Sequence, residues 1–234
     1  MFVVSRHVIS AVRRLRNNST VHKIMRKITF LFTLIFVALT ANFVLAQNTE
    51  KRPTRSVKGQ VLSSDSLPPL RVKFKKPFKF VGSQSFVLYD RAQVEQFFFV
   101  EADERGQIKR MYMTQFEGSL PNANATYNYP ATKTITLGKE NYVVNAEVIP
   151  NVSAALKQNP QSDVARAASF LESKGLRVGE EITFQRFVRV VDEAKQNEII
   201  LLYVEAGNAL GSTEKEKMTQ QFSERAVKGL KVLK

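Results

Sequence analysis

The segment Gln96-Phe-Phe-Phe-Val-Glu-Ala-Asp-Glu-Arg-Gly-Gln-Ile-Lys-Arg-Met-Tyr-Met113 constrains the fold more than any other part of the chain. Two β-rich runs flank Asp103-Glu-Arg-Gly106, a turn whose glycine can take a positive φ, and that combination predicts a β-hairpin. A second hairpin is expected to turn at Gly138-Lys-Glu-Asn141. Continuing the pattern places strands near 57–62, 71–80, 84–89, 96–101, 107–116, 133–137 and 141–149, then near 182–191 and 198–205.

Two helices interrupt or follow these strands. After Pro160, Ser162 or Asp163 caps a helix with Val164, Ala168 and Leu171 on one face, and Gly175 ends it. The last helix runs from about Glu214 to Leu230. Thr213 and Glu216 form its capping box, and Met218, Phe222, Ala226 and Leu230 recur every four residues along one face. Runs of strands with helices added predict an α+β domain. The expectation is a curved antiparallel sheet of about seven to nine strands, with one inserted helix and a C-terminal helix packed on one face. Several lipid- and hormone-binding proteins share that shape, an analogy of fold alone.

The first forty-six residues belong to a different regime. They carry seven basic side chains, and the first carboxylate of the chain is Glu50. A cationic stretch, the apolar run Ile28–Leu39 and a small-residue site with Val44 and Ala46 predict a secretory signal cleaved before Gln47. Met25 is a possible true start, because Met25–Ala46 is a complete signal by itself. The rival reading is an uncleaved anchor, since Ile28–Ala46 is near the roughly 17–25 residues that span a bilayer. Export to the periplasm or the extracellular space is the expectation. It leaves a loose polar tail over 47–56, a single domain over 57–234 and no stable membrane span. Removing seven of the 35 basic residues leaves 28 against 21 acidic ones, so a net charge of +14 becomes +7.

The absences narrow the chemistry. The chain has no Cys, and its two histidines, His7 and His22, both precede the cleavage site. The mature chain therefore has no disulfide, no thiol and no imidazole, and cannot build His triads or the usual His/Cys metal sites. No cofactor, metal site or catalytic residue is assigned, and a non-catalytic role is favoured over an enzymatic one. Ser212-Thr-Glu-Lys215 fits S-x-x-K but reads as helix capping. Asn124-Ala-Thr126 and Asn151-Val-Ser153 are glycosylation sequons that matter only in a eukaryotic source.

Two constellations remain. In the first, Arg71, Lys73, Lys75 and Lys79 alternate with Val72, Phe74, Phe78 and Phe80. Such a row either shields an edge strand or contacts an anionic surface such as an envelope polymer. Nucleic acid is not expected as a partner of an exported protein. In the second, arginines stand inside apolar stripes: Arg110 among Ile108, Tyr112 and Phe116, and Arg186 among Ile182, Phe184 and Val188, with Arg189 on the opposite stripe. A buried Arg needs a partner. Glu101, Glu117 or Glu205 could supply one internally, or a bound molecule could supply it.

The functional expectation is a binding domain that holds a small amphipathic or anionic molecule between the sheet and the C-terminal helix, using Arg110, Arg186, Arg189, Met111, Met113 and Tyr112. The alternatives are a structural or adhesion protein acting through the basic strand, and a hydrolase or isomerase built on carboxylates such as Glu101 and Glu117.

Overall fold

The computed structural model describes residues 55–123, 125–130, 133–210 and 215–233. The expected signal with its possible start at Met25, the tail up to residue 54, Asn124 and the capping residues 212–214 lie outside the described residues.

The chain is α+β. Its strands are β1 (Ser56–Lys58), β2 (Val61–Ser64), β3 (Leu70–Phe74), β4 (Lys79–Leu88), β5 (Ala92–Ala102), β6 (Ile108–Ser119), β7 (Thr134–Leu137), β8 (Glu140–Ile149), β9 (Ile182–Val190), β10 (Asn197–Ala206) and β11 (Leu230–Val232). The helices are α1 (Val152–Gln158), α2 (Asp163–Ser173) and α3 (Lys215–Lys228). The seven-stranded sheet has the order β4-β5-β6-β10-β9-β8-β7, the four-stranded one β1-β2-β3-β11, and all named pairs are antiparallel.

The second sheet arises because two expected strands are broken. The chain reverses at Gly59-Gln60 between β1 and β2, and turns again through Lys75–Phe78, where the Phe78 N–H donates to the Lys75 carbonyl at 3.2 Å. A second inserted helix, α1, also appears where none was expected. The side chain of Asn151, read from sequence as a sequon, caps it by accepting from the Ala154 N–H at 2.8 Å.

Both expected hairpins form. In the first, Asp103 Oδ1 accepts from the N–H groups of Arg105 and Gln107, each at 2.9 Å, and Gly106 takes φ +78. A side chain at Gly106 would strike the Gly175 carbonyl, so this hairpin tip lies directly against the end of α2. That helix starts as expected, with Ser162 Oγ accepting from the Ala165 N–H at 3.1 Å. It ends in a Schellman closure: the Gly175 N–H donates to Glu172 and the Leu176 N–H to Leu171. Its buried residues are Ala165, Ala167 and Leu171, whereas Val164 is exposed, so the packed face is rotated from the one expected.

The large sheet is covered on both faces. On the front, β3, β11 and α3 bury a dense aromatic core. Phe74 stacks on Phe99 at 4.0 Å between centroids, and Phe78 and Tyr203 pack around Tyr112, whose hydroxyl donates to the Ala226 carbonyl at 2.6 Å. Phe222 and Ala226 of the expected stripe are fully buried here. On the back, α1 and α2 pack over Phe98, Val100, Met111, Met113, Ile182 and Val204. Gly82 allows this fit, since a side chain there would meet Phe170, which stacks on Phe98 at 4.8 Å.

Candidate functional site

Register decides which side chains share a face. Tyr112 stands opposite Phe99 and Tyr203, and Arg110 stands opposite Glu101 and Glu205, so these all belong to the front. Arg189 pairs with Ile199, also on the front. Met111, Met113 and Arg186 lie on the back, with Val204 opposite Met111 and Leu202 between Met113 and Arg186.

The front arginines are paired with carboxylates, although Arg189 Nε is buried without a hydrogen-bond partner. Arg110 Nε donates to Glu101 Oε2 at 2.6 Å, and Arg189 Nη1 meets Glu140 Oε2 at 2.6 Å. Arg225 makes a two-pronged contact with Glu205 at 2.8 and 2.9 Å. Tyr112 is spent on Ala226. Of the six residues expected to gather at one ligand, the structure therefore places three on each face. The front interior is filled by rings, and an open groove lined by Ile135, Gln220, Ser223 and Val227 lies between β7 and α3.

A partly open cavity of about 250 Å³ lies on the back, between the sheet and the two inserted helices. Met111, Met113, Phe184 and Leu202 form its floor, and Leu156 of α1 and Leu171 of α2 face them. Asp163 and Arg186 are the charged residues in the wall. The volume falls between the ~150 Å³ that accepts a benzene and the ~300 Å³ where ligand pockets usually begin.

A polar cluster continues from the charged end of this cavity. Along the back face, the pair Ile200–Gln115 is followed by the pair Glu198–Glu117. Gln115 Nε2 donates to Glu117 Oε2 at 2.8 Å and to Asp163 Oδ2 at 3.0 Å, while Gln96 Nε2 donates to Gln115 Oε1 at 2.7 Å. The Asn-rich loop after β6 supplies two phenols. Tyr127 donates to Glu117 Oε1 at 2.9 Å, and Tyr129 bonds Glu198. Arg186 donates to Asn145 Oδ1 at 3.2 Å and lies 5.4 Å from the Tyr129 ring centre.

These surroundings disturb both glutamates. Burial pushes Glu198 up to about 7, Glu117 and Asp163 adding to the rise while the Tyr129 hydrogen bond and Arg186 oppose it. Burial also raises Glu117, against the hydrogen bonds from Tyr127 and Gln115. Glu198 is only 3% exposed, and its Oε2 has no hydrogen-bond partner among the described residues.

The carboxylates considered from sequence, Glu101 and Glu117, do not converge, since one faces front and is paired to Arg110 while the other faces back. The convergent partner of Glu117 is Glu198. Sequence reasoning missed it because β6 and β10 meet across roughly eighty intervening residues with no local signal. Among the described residues, no group of three His, Cys, Asp or Glu is placed to hold a metal ion.

The basic row is divided between the sheets. Arg71 and Lys73 lie on β3, which is flanked by β2 and β11 and so is not an edge; Lys75 follows in the turn, and Lys79 opens β4, an edge of the large sheet. All four are exposed. Register sets Lys58, Val61, Lys73 and Lys231 in one line across the outer face of the small sheet.

Compared with known proteins, the chain matches no family model, no curated protein and no solved structure.

Proposed function

We propose that the protein is an exported, non-catalytic binding domain that encloses the apolar part of a small amphipathic molecule beneath α1 and α2. The observation that carries this reading is the cavity of about 250 Å³, apolar around its floor and roof, with Asp163 and Arg186 in its wall. Burying apolar area supplies affinity without direction, and the charged end would fix orientation. Met111 and Met113 suit such a floor because unbranched thioether side chains adapt to irregular shapes. Arg110, Arg189 and Tyr112 would act as front-face structure and not as ligand contacts. Export rests on the signal-like segment before Gln47. Among the described residues, no helix is long and apolar enough to cross a membrane.

Native mass spectrometry of the gently purified protein, followed by extraction of whatever co-purifies, tests the proposal. A stoichiometric small-molecule adduct lost on Leu202→Trp, which blocks the cavity, supports it. An adduct that survives the blocked cavity would place the ligand elsewhere and refute this site.

A second reading has its own observation. Lys58, Lys73 and Lys231 line up across the small sheet with Arg71 nearby, and among the described residues none of them forms a salt bridge. Such a face would hold an anionic envelope polymer by charge alone. Retention on immobilised dextran sulfate should then collapse between about 0.05 and 0.5 M salt, as screening shortens the range of exposed charges. Retention unchanged by salt counts against it.

A further inference from the structure

We propose that the protein pairs with a second copy of itself through β4, the two edge strands meeting antiparallel across a two-fold axis normal to the sheet. The two seven-stranded sheets then run on as one.

The two sheets have four edge strands, and three of them are blunted. β1 and β11 are three residues long and β7 is four. Lys58 lies in β1 and Lys231 in β11, while Lys133 and Lys139 flank β7. Short length and lysine keep an exposed ladder from recruiting another strand. β4 is different. It runs for ten residues, and the stretch 80–89 carries neither charge nor proline. A bulge between Phe80 and Gly82 leaves residues 83–88 as its regular part, in unbroken register with β5. Along the outer side of such a strand, alternate N–H and C=O groups have no ladder partner.

Exposed apolar side chains gather at the same place. Among the described residues, the large hydrophobic ones are Leu67, Phe80, Val87, Tyr89 and Val164. Phe80 and Val87 belong to β4, and Tyr89 follows it. Leu67 borders the strand on the front: its carbonyl accepts from Arg55, Arg55 pairs with Glu95, and Glu95 stands opposite Ser85. Val164 borders it on the back, next to Asp163, whose carbonyl accepts from Gln96, the partner of Gln84. Apolar residues scattered singly over a surface are ordinary, but five along one uncharged edge mark a contact surface.

Three features select a second copy as the occupant. An antiparallel pair brings Lys79 of one protomer to the end of the other that holds Asp90 and Arg91, and keeps the two Lys79 ammonium groups apart; a parallel pair would set them side by side. The cations nearer the middle are turned onto rings of their own chain, Arg166 over Phe86 and Lys174 over Phe170. A strand facing its own copy across a two-fold axis is also self-complementary, each ladder offering donors and acceptors at the spacing the other needs. Finally, the area suffices. β4 is about 34 Å long and a sheet with a layer on each face is about 20 Å thick, so the edge presents about 700 Å². Stable interfaces bury roughly 600–1,000 Å² per partner.

Sedimentation velocity of the purified protein tests the proposal. A dimer is expected, with a dissociation constant in the micromolar range or tighter. Val87→Lys, at a side chain already 40% exposed in the single chain, should weaken dimerisation about tenfold or more and leave the circular dichroism spectrum unchanged. Because the chain has no Cys, single cysteines report the pairing directly. Gln84→Cys, Ser85→Cys and Phe86→Cys are made one at a time. The one at the axis faces its own copy at about 4.5–5.5 Å between Cα atoms and should form a disulfide-linked dimer under mild oxidation. Thr136→Cys, on the β7 edge, should remain a thiol. A monomer up to about 100 μM overturns the proposal and leaves the edge to a different chain. So does a dimer that Val87→Lys leaves intact, or one that cross-links only through Thr136→Cys, since its interface lies elsewhere.

Discussion

The two faces of the seven-stranded sheet solve the same problem of buried charge in opposite ways. On the front, each arginine has a carboxylate at hydrogen-bonding distance, and the space between layers is filled by stacked rings. On the back, three carboxyl groups gather around one arginine, one oxygen stays unpaired and an apolar void remains. Unsatisfied buried atoms lie on both faces, Thr114 Oγ1 and Arg189 Nε on the front and Glu198 Oε2 on the back, so the faces differ in packing and in their balance of charge. Charged residues inside apolar stripes are a weak pointer to a site, because closed ion pairs produce the same stripes.

The contrast can be broken most strongly by removing one side chain from each face. Phe99→Ala on the front should lose about 3–5 kcal/mol in denaturant unfolding, whereas Met113→Ala, already facing a void, should lie near the ~2 kcal/mol lower limit for such truncations. Equal losses would mean that the back is packed as tightly as the front.

A second test concerns Glu198. Its folded pKa is about 7 against an ordinary 4.5, so the native state holds the proton more tightly than the unfolded chain. The stability this confers is complete below about 4.5 and is lost as pH rises through 7, a total of about 3 kcal/mol at 1.36 kcal/mol per unit. Glu198→Gln should therefore match the wild type near pH 4.5 and exceed its stability by up to that amount at about pH 8. A pH-independent difference would show that Glu198 is not desolvated in the folded protein.

Enlarging a small residue sharpens the comparison with a smaller effect. Ala226→Leu adds bulk to a filled front and should cost about 1–3 kcal/mol, while Ala168→Leu grows into the back cavity and should cost less than about 1. The second variant should nevertheless compete with any ligand. The smallest effect is expected at Glu140→Gln, which opens the half-exposed pair with Arg189. Thermal unfolding should report a change of about 0–1 kcal/mol, diminishing further in salt.

Much of this architecture can be read along the chain wherever the determinant is local. Gly106 and Gly138 mark hairpins because positive φ is a property of one residue, and Ser162 and Gly175 bracket α2 because caps act within a single turn. Arg110 and Arg186 stand out in the sequence as members of alternating stripes. What alternation cannot supply is the sense of the face, so Arg110 and Arg186 look alike until register separates them. The small sheet is hidden for a related reason: β11 is three residues long, and its partner β3 lies far back in the sequence. Arg55 belongs to the same class. It sits in a polar stretch that reads as a tail, yet its guanidinium pairs with Glu95 at 2.9 Å and covers the Phe116 ring at 3.7 Å.

The pairing of β11 with β3 also imposes an order of assembly. Synthesis delivers β3 first and β11 last, and Val72 waits for Val232 across nearly the whole domain. Until the final segment arrives, the edge of β3 is open, and Phe74 and Tyr112 lack the roof that α3 and β11 provide. Contacts so distant in sequence close late, because their loop entropy must be met before the contact rewards it.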